Sequence, residues 1–151
     1  MTLRWLIASL HLLALGIGFG AIYARSRALR RASTPADLAP AFLADTWWGV
    51  AGLLWLVTGL WRAFGGLEKG TEYYLHHPLF HAKLTLFVLI VLLEVLAGVT
   101  LMRWRGAARS GGAIDYGRAK LISRIGHVEL LFILVMLFLG TAIARGIGYP
   151  S

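Results

Sequence analysis

His11, Lys83, Glu94 and Glu129 are ionisable side chains set inside long apolar stretches of a 151-residue chain. In hydrocarbon a charge costs about 2.5 kcal/mol or more, so each should face a partner, a cofactor or a water-filled cavity. A neutral imidazole such as His11 can ligate a metal, and a partly desolvated amine such as Lys83 can exchange protons. The bland alternatives are a hydrogen bond from His11 to a neighbouring helix and a Lys83 that snorkels to the headgroups.

These residues fall at two depths. His11 lies about 9 Å into the first apolar stretch, counted at 1.5 Å per residue, and Lys83 enters the third stretch from the same side. The two could meet there. Glu94 stands on nearly the same helix face as Lys83 but about 16 Å deeper, beyond ion-pair reach. Its expected partners are Arg103 or groups around Asp45 and His127, with Glu129 nearby. His127 and Glu129 are two residues apart and cannot share one helix face, so His127 is read as a headgroup-level residue.

The elements that position these groups are four apolar spans, at about residues 5–23, 46–64, 79–101 and 125–144, forming one domain over 1–151. Hydrophobic residues make up 58% of the chain and the mean hydropathy is +0.72, too apolar for a water-soluble domain of this size. The expected fold is all-α, an integral-membrane four-helix bundle of antiparallel up-down topology. Asp45 is read as the N-cap of the second span and Gly65-Gly66 as its end.

Arg25, Arg27, Arg30 and Arg31 follow the first span. Arg103, Arg105, Arg109, Arg118, Lys120 and Arg124 fill a basic loop before the fourth. This one-sided distribution predicts that both loops are cytoplasmic and both termini extracytoplasmic. The formal charge of +8 therefore points to anionic lipid at the loops and not to nucleic acid. The absence of cysteine excludes thiolate and disulfide chemistry.

Within the spans, Ala14, Gly16, Gly18 and Gly20 form small-residue pairs that permit close helix approach. Trp48, Gly52, Trp55, Gly59 and Arg62 share one face of the second helix. His77 and His81 have the spacing of a metal pair but lack a third ligand. No metal site is expected beyond a haem iron at His11.

The segments Trp48-Gly49, Thr58-Gly59-Leu60, Arg62, Glu68-Lys69-Gly70, Tyr73-Tyr74-Leu75, Pro78-Leu79-Phe80 and Ala82-Lys83-Leu84 carry a resemblance. So do the first-helix histidine, Glu129 and the closing Ala144-Arg145-Gly146-Ile147-Gly148. Together they resemble an uncharacterised bacterial family of predicted membrane proteins, the domain-of-unknown-function family numbered 2214. That resemblance spans nearly the whole chain and implies a four-span protein of the bacterial inner membrane. A more distant likeness, through His11 and His81-Ala82-Lys83-Leu84, is to the HemJ-type protoporphyrinogen oxidases. It implies haem b at His11 and a role in activity for Lys83.

Three functions are compatible with these features. The first is a haem b- or porphyrin-binding redox protein, a membrane oxidoreductase, with its site in the outer half of the bundle. There His11 would be the axial ligand and Lys83 the catalytic or propionate-binding group, with Trp55 and Arg62 lining the site. The second is a non-enzymatic subunit or scaffold, for which a second copy or another membrane protein is the candidate partner. The third is a proton or small-ion pathway through Lys83, Glu94 and Glu129.

Overall fold

Proline and glycine positions divide the chain into helices, described over residues 2–149 in a computed structural model. Helix α1 is Thr2–Arg31, and a single 3-10 turn, Ala36–Leu38, leads into α2, Ala39–Phe64. The short α3, Thr71–Leu75, precedes α4, Pro78–Ser110, and α5, Tyr116–Ala144. There is no strand among the described residues, and four helices have the length and hydropathy to cross a membrane.

The helices run well beyond the apolar spans. Pro40 lies in the first turn of α2, where its missing N–H breaks no hydrogen bond, so α2 begins at Ala39 and not at Thr46. This corrects the reading of Asp45: it is no N-cap but a side chain inside the helix. Likewise α4 continues through Arg103 and Arg105 to Ser110. It stops at Gly111, whose φ of 70° suits glycine at a helix C-terminus. Asp115 then caps α5 by accepting from the N–H groups of Gly117 and Arg118. The expected basic loop from Arg103 to Arg124 is thus mostly helix.

Between α1 and α2 the carboxylate of Asp37 accepts from the backbone N–H groups of Ser33 and Thr34, at 3.0 and 2.8 Å, and closes the turn. These bonds to the charged form, that from Ser33 foremost, hold the Asp37 carboxyl at about 2, below its ordinary 3.8.

Short connections make successive long helices antiparallel. Helix α1 packs on α2 and α5, and α5 packs on α4, whereas α2 and α4 scarcely touch. Three apolar layers fill the interior. Ala63, Phe80 and Ile143 form the layer nearest the termini. Ala14, Ile22, Trp48, Trp55, Ile90, Ile133 and Met136 belong to the middle one. Leu29, Leu38, Ala97, Leu101, Trp104 and Ile122 belong to the layer at the arginine-rich end. Large apolar side chains such as Leu53, Leu92, Leu96, Leu131 and Phe138 point outward. Such an exterior suits lipid, not water.

Of the small residues in α1, Ala14 and Gly18 are buried, while Gly16 and Gly20 face open space. A Cβ added at Gly18 would lie 2.8 Å from the ring of Trp48, so this glycine lets α1 and α2 close on each other. Gly18→Ala should destabilise the bundle by about 1–3 kcal/mol through overpacking, whereas Gly16→Ala and Gly20→Ala should be neutral or stabilising. Thermal unfolding in detergent measures this, and equal midpoints for all three variants would refute the packing role. For Asp37 the depressed value means that its contribution to the turn is complete above pH 3.8 and is lost as pH falls through about 2. A side-chain carboxyl NMR titration should give that low midpoint; one near 3.8 would show that the cap is not formed.

Candidate functional site

Polar groups lie at two levels, each sandwiched between two apolar layers. At the level nearer the arginine-rich end stands Arg25, whose side chain is completely buried. Its Nη1 donates to Asp45 Oδ1 at 3.0 Å and to Glu94 Oε1 at 2.6 Å. Its Nη2 donates to Glu94 Oε2 at 2.8 Å and to Glu129 Oε2 at 3.0 Å. One guanidinium on α1 therefore grips a carboxylate from each of the other three long helices. The fork geometry of arginine permits this, including a two-bond grip on Glu94.

Arg105 supports the cluster by donating through Nη2 to Asp45 Oδ2 and Thr46 Oγ1, both at 3.0 Å, and to Phe42 O at 2.5 Å. Beside it, Ser123 Oγ on α5 donates to Ser26 O on α1 at 2.8 Å. Two guanidiniums thus face three carboxylates, and the buried Oε1 of Glu129 has no hydrogen-bond partner.

This level corrects the sequence reading in two respects. Arg25, assigned to a cytoplasmic loop, is the hub. Arg103, the expected partner of Glu94, is exposed, and Arg105 takes the supporting place. The spacing held a signal. His11, Ala14, Gly18, Ile22, Arg25 and Leu29 follow steps of three and four, so they form one buried stripe of α1. Arg27, Arg30 and Arg31 fall off that stripe and are exposed. His127 is also exposed, its Nδ1 bonding to Ser123 O, as expected for a residue outside any interior site.

The level nearer the termini is built differently. His11, buried, stacks on Trp55 with ring centroids 5.6 Å apart. Thr58 Oγ1 donates its proton to Leu54 O at 2.6 Å and therefore accepts from His11 Nδ1 at 2.9 Å. The network so assigns the tautomer and leaves Nε2 with its lone pair. Gly59 makes room for the ring, since a Cβ there would approach His11 Cε1 to 3.1 Å. Thr58 was not singled out from the sequence: a lone threonine in an apolar helix carries no distinguishing pattern.

His11, Trp55, Arg62 and Lys83 line one cavity of about 260 Å³, together with Met136 and Gly140 of α5. The Lys83 ammonium rests against α5, where a Cβ on Gly140 would stand 3.4 Å from Nζ. Arg62 is neutralised at the rim by Glu68, whose Oε1 accepts from Nε and Nη2 at 3.1 and 2.9 Å. Among the described residues Lys83 has no ion pair. Tyr73 closes this end of the molecule by donating to Ile143 O at 2.9 Å and stacking on Tyr149 at 4.6 Å.

His81, the first residue of the HemJ-like motif, is exposed and bonds to Leu75 O, so of that motif only Lys83 reaches the cavity. His77 is the buried N-cap of α4 and packs against Tyr73 and Tyr149. No group of three metal-ligating side chains occurs among the described residues. For haem the two requirements diverge. The Thr58-fixed imidazole has the tautomer an axial ligand needs, but 260 Å³ lies below the roughly 300–1,000 Å³ of ordinary small-molecule pockets.

The fold and its two polar levels define an all-α, four-span membrane protein with an arginine paired to three carboxylates at one level and, among the described residues, a lysine without an ion pair at the other. The family model described as Predicted membrane protein (DUF2214) matches residues 3–148, and the chain belongs to that family. No curated protein and no solved structure matches the chain.

Removal of Arg25 alone would strand the buried Glu129 and the half-buried Glu94 and leave Asp45 with Arg105 only, and breaking such a cluster costs about 3–5 kcal/mol. Arg25→Met should therefore lower the unfolding midpoint in detergent strongly. Adding Asp45→Asn, Glu94→Gln and Glu129→Gln should restore much of the loss. A single variant as stable as the parent would dismiss Arg25 as the hub.

Proposed function

We propose that the protein is a membrane-embedded binding protein for an anionic amphiphile, whose headgroup is held in the His11–Lys83 cavity. The observation that carries this reading is the asymmetry between the levels. Arg25 has carboxylates from three helices, whereas Lys83, inside an apolar helix, has none among the described residues. A cation at that depth needs a counter-charge, and the cavity beside it supplies room for one. Lys83 provides the charge and up to three donors. His11, held by Thr58, presents a lone pair that can accept from Lys83 or from a protonated headgroup, and Trp55 forms the apolar wall.

In this reading the arginine-rich end lies in the cytoplasm and the cavity in the outer leaflet of a bacterial inner membrane, with the basic loops against anionic lipid. The Arg25 cluster serves the fold, as the scaffold reading requires of buried polar groups.

Binding of palmitate to the purified protein in detergent tests the proposal, with palmityl alcohol as the neutral control. Palmitate should bind at least tenfold more tightly than the alcohol, and Lys83→Gln should abolish the difference, since a charge-assisted hydrogen bond contributes about 1.5–3 kcal/mol. Equal affinities for acid and alcohol, or an unaffected Lys83→Gln variant, would sink it. A visible absorption spectrum adds an independent check. A Soret band in the protein as isolated, lost in His11→Ala, would replace this reading with the haem b site.

A further inference from the structure

The weak contact between α2 and α4 leaves a groove of about 560 Å³ that runs toward the arginine-rich end. Its α2 wall carries Gly49, Gly52 and Trp55, and its α4 wall carries Phe87, Ile90 and Gly98. Gly49 and Gly52 have open space where a side chain would be. Asp45 and Glu94, both held by Arg25, line the groove toward the arginine-rich end, and its α4 wall continues past them to Met102.

Its near end joins the headgroup cavity. Trp55, Leu56 and Phe87 line the groove, and the same three line a smaller hollow of about 120 Å³ shared with His11 and Lys83. At this junction the indole N–H of Trp55 is buried without a hydrogen-bond partner, in a residue only 6% exposed. Arg25 Nε and Arg105 Nε are also buried without a partner, but of these three residues only Trp55 lines the hollow shared with His11 and Lys83, where an acceptor from outside the protein can meet it.

Resting on the function proposed above, we infer that the α2–α4 groove is the slot for the hydrocarbon chain of a single-chain lipid carboxylate. The carboxylate meets Lys83, one of its oxygens can accept from Trp55 Nε1, and the chain lies on Gly49, Gly52 and Gly98. Charge supports a carboxylate. Arg62 is paired to Glu68, and Lys69, which lines the same cavity, is held by Tyr73 Oη and Ile143 O; among the described residues Lys83 is the lining cation with neither an ion pair nor a hydrogen bond, and a monovalent headgroup balances it. Size admits a chain, because the groove of about 560 Å³ falls within the roughly 300–1,000 Å³ of small-molecule sites. The length agrees, because the ten residues from Asp45 to Trp55 span about 15 Å of helix, on the order of half the bilayer's hydrocarbon core.

Stearate brominated at mid-chain quenches tryptophan on contact, and Trp48 and Trp55 both line the groove. It should quench the parent protein, and Gly52→Leu or Gly98→Leu should remove at least half of that quenching by filling the slot. Gly20→Leu, in open space on α1, should leave it intact and controls for folding. Dioleoyl phosphatidate should fail to displace the stearate. If Lys83→Gln lowers stearate binding while both groove variants quench like the parent, the headgroup site stands and the chain slot is refuted. If Lys83→Gln changes nothing, the headgroup reading itself fails. Efficient displacement by phosphatidate would refute the single-chain specificity, and a change of oligomeric state in the groove variants would assign the groove to a second copy of the chain.

Discussion

Everything in this bundle hangs on Arg25. Helices in lipid gain nothing from hiding apolar surface from one another, because lipid tails are as apolar as leucine. Rotation and register must therefore come from close packing and from polar contacts. A guanidinium with four hydrogen bonds to three carboxylates supplies both at once, since each bond ties α1 to a different helix or a different atom. The desolvation of four charged groups is offset only while the set is complete. That is a severe condition, and it leaves little freedom in how α2, α4 and α5 can turn about their axes.

The same interaction explains the most unusual feature of the packing. Asp45 on α2 and Glu94 on α4 are joined through Nη1 of Arg25, so the two helices are bridged by a side chain from a third and do not close on each other. The glycines at 49, 52 and 98 deepen the resulting gap. Register follows as well. His11 is fourteen residues before Arg25, two heptads, and so shares its face about 21 Å away. Fixing Arg25 inward places His11 inward, against Thr58 and Trp55 of α2.

Much of this was legible in the sequence, and the failures have physical causes. Hydropathy alone identified the four crossing segments. Depth counted along two antiparallel helices brings His11 and Lys83 to one level, and both line one cavity with Trp55 and Arg62. Arg25 was missed because charge counting treats an arginine run as a block, whereas a helix separates Arg25 from Arg27 by 200°. Asp45 was misread because Pro40 looked like a break, although proline is at home in a first helical turn. The step from Arg103 to Arg105 is the same angular matter: two residues on, a side chain lies on the opposite face. Thr58, Gly59 and Gly140 act through shape around a histidine and a lysine, and shape of that kind has no one-dimensional signature.

The contrast between the two levels is what separates structure from site in a chain like this one. Both contain a cation inside an apolar layer, and both are unfavourable until the charge is met. At Arg25 the protein meets it from within, using every other long helix, and the outcome is rigidity. At Lys83 the protein builds a cavity, fixes a neighbouring imidazole through Thr58, keeps a donor on Trp55 unmatched, and leaves the way in from the α2–α4 side unsealed. An internal carboxylate at the position of Gly140 or Met136 would have completed this level as Glu129 helps complete the other. The residues there are a glycine that clears space for the ammonium and a methionine that can adapt to a guest, and each favours a counter-charge that arrives from outside the chain.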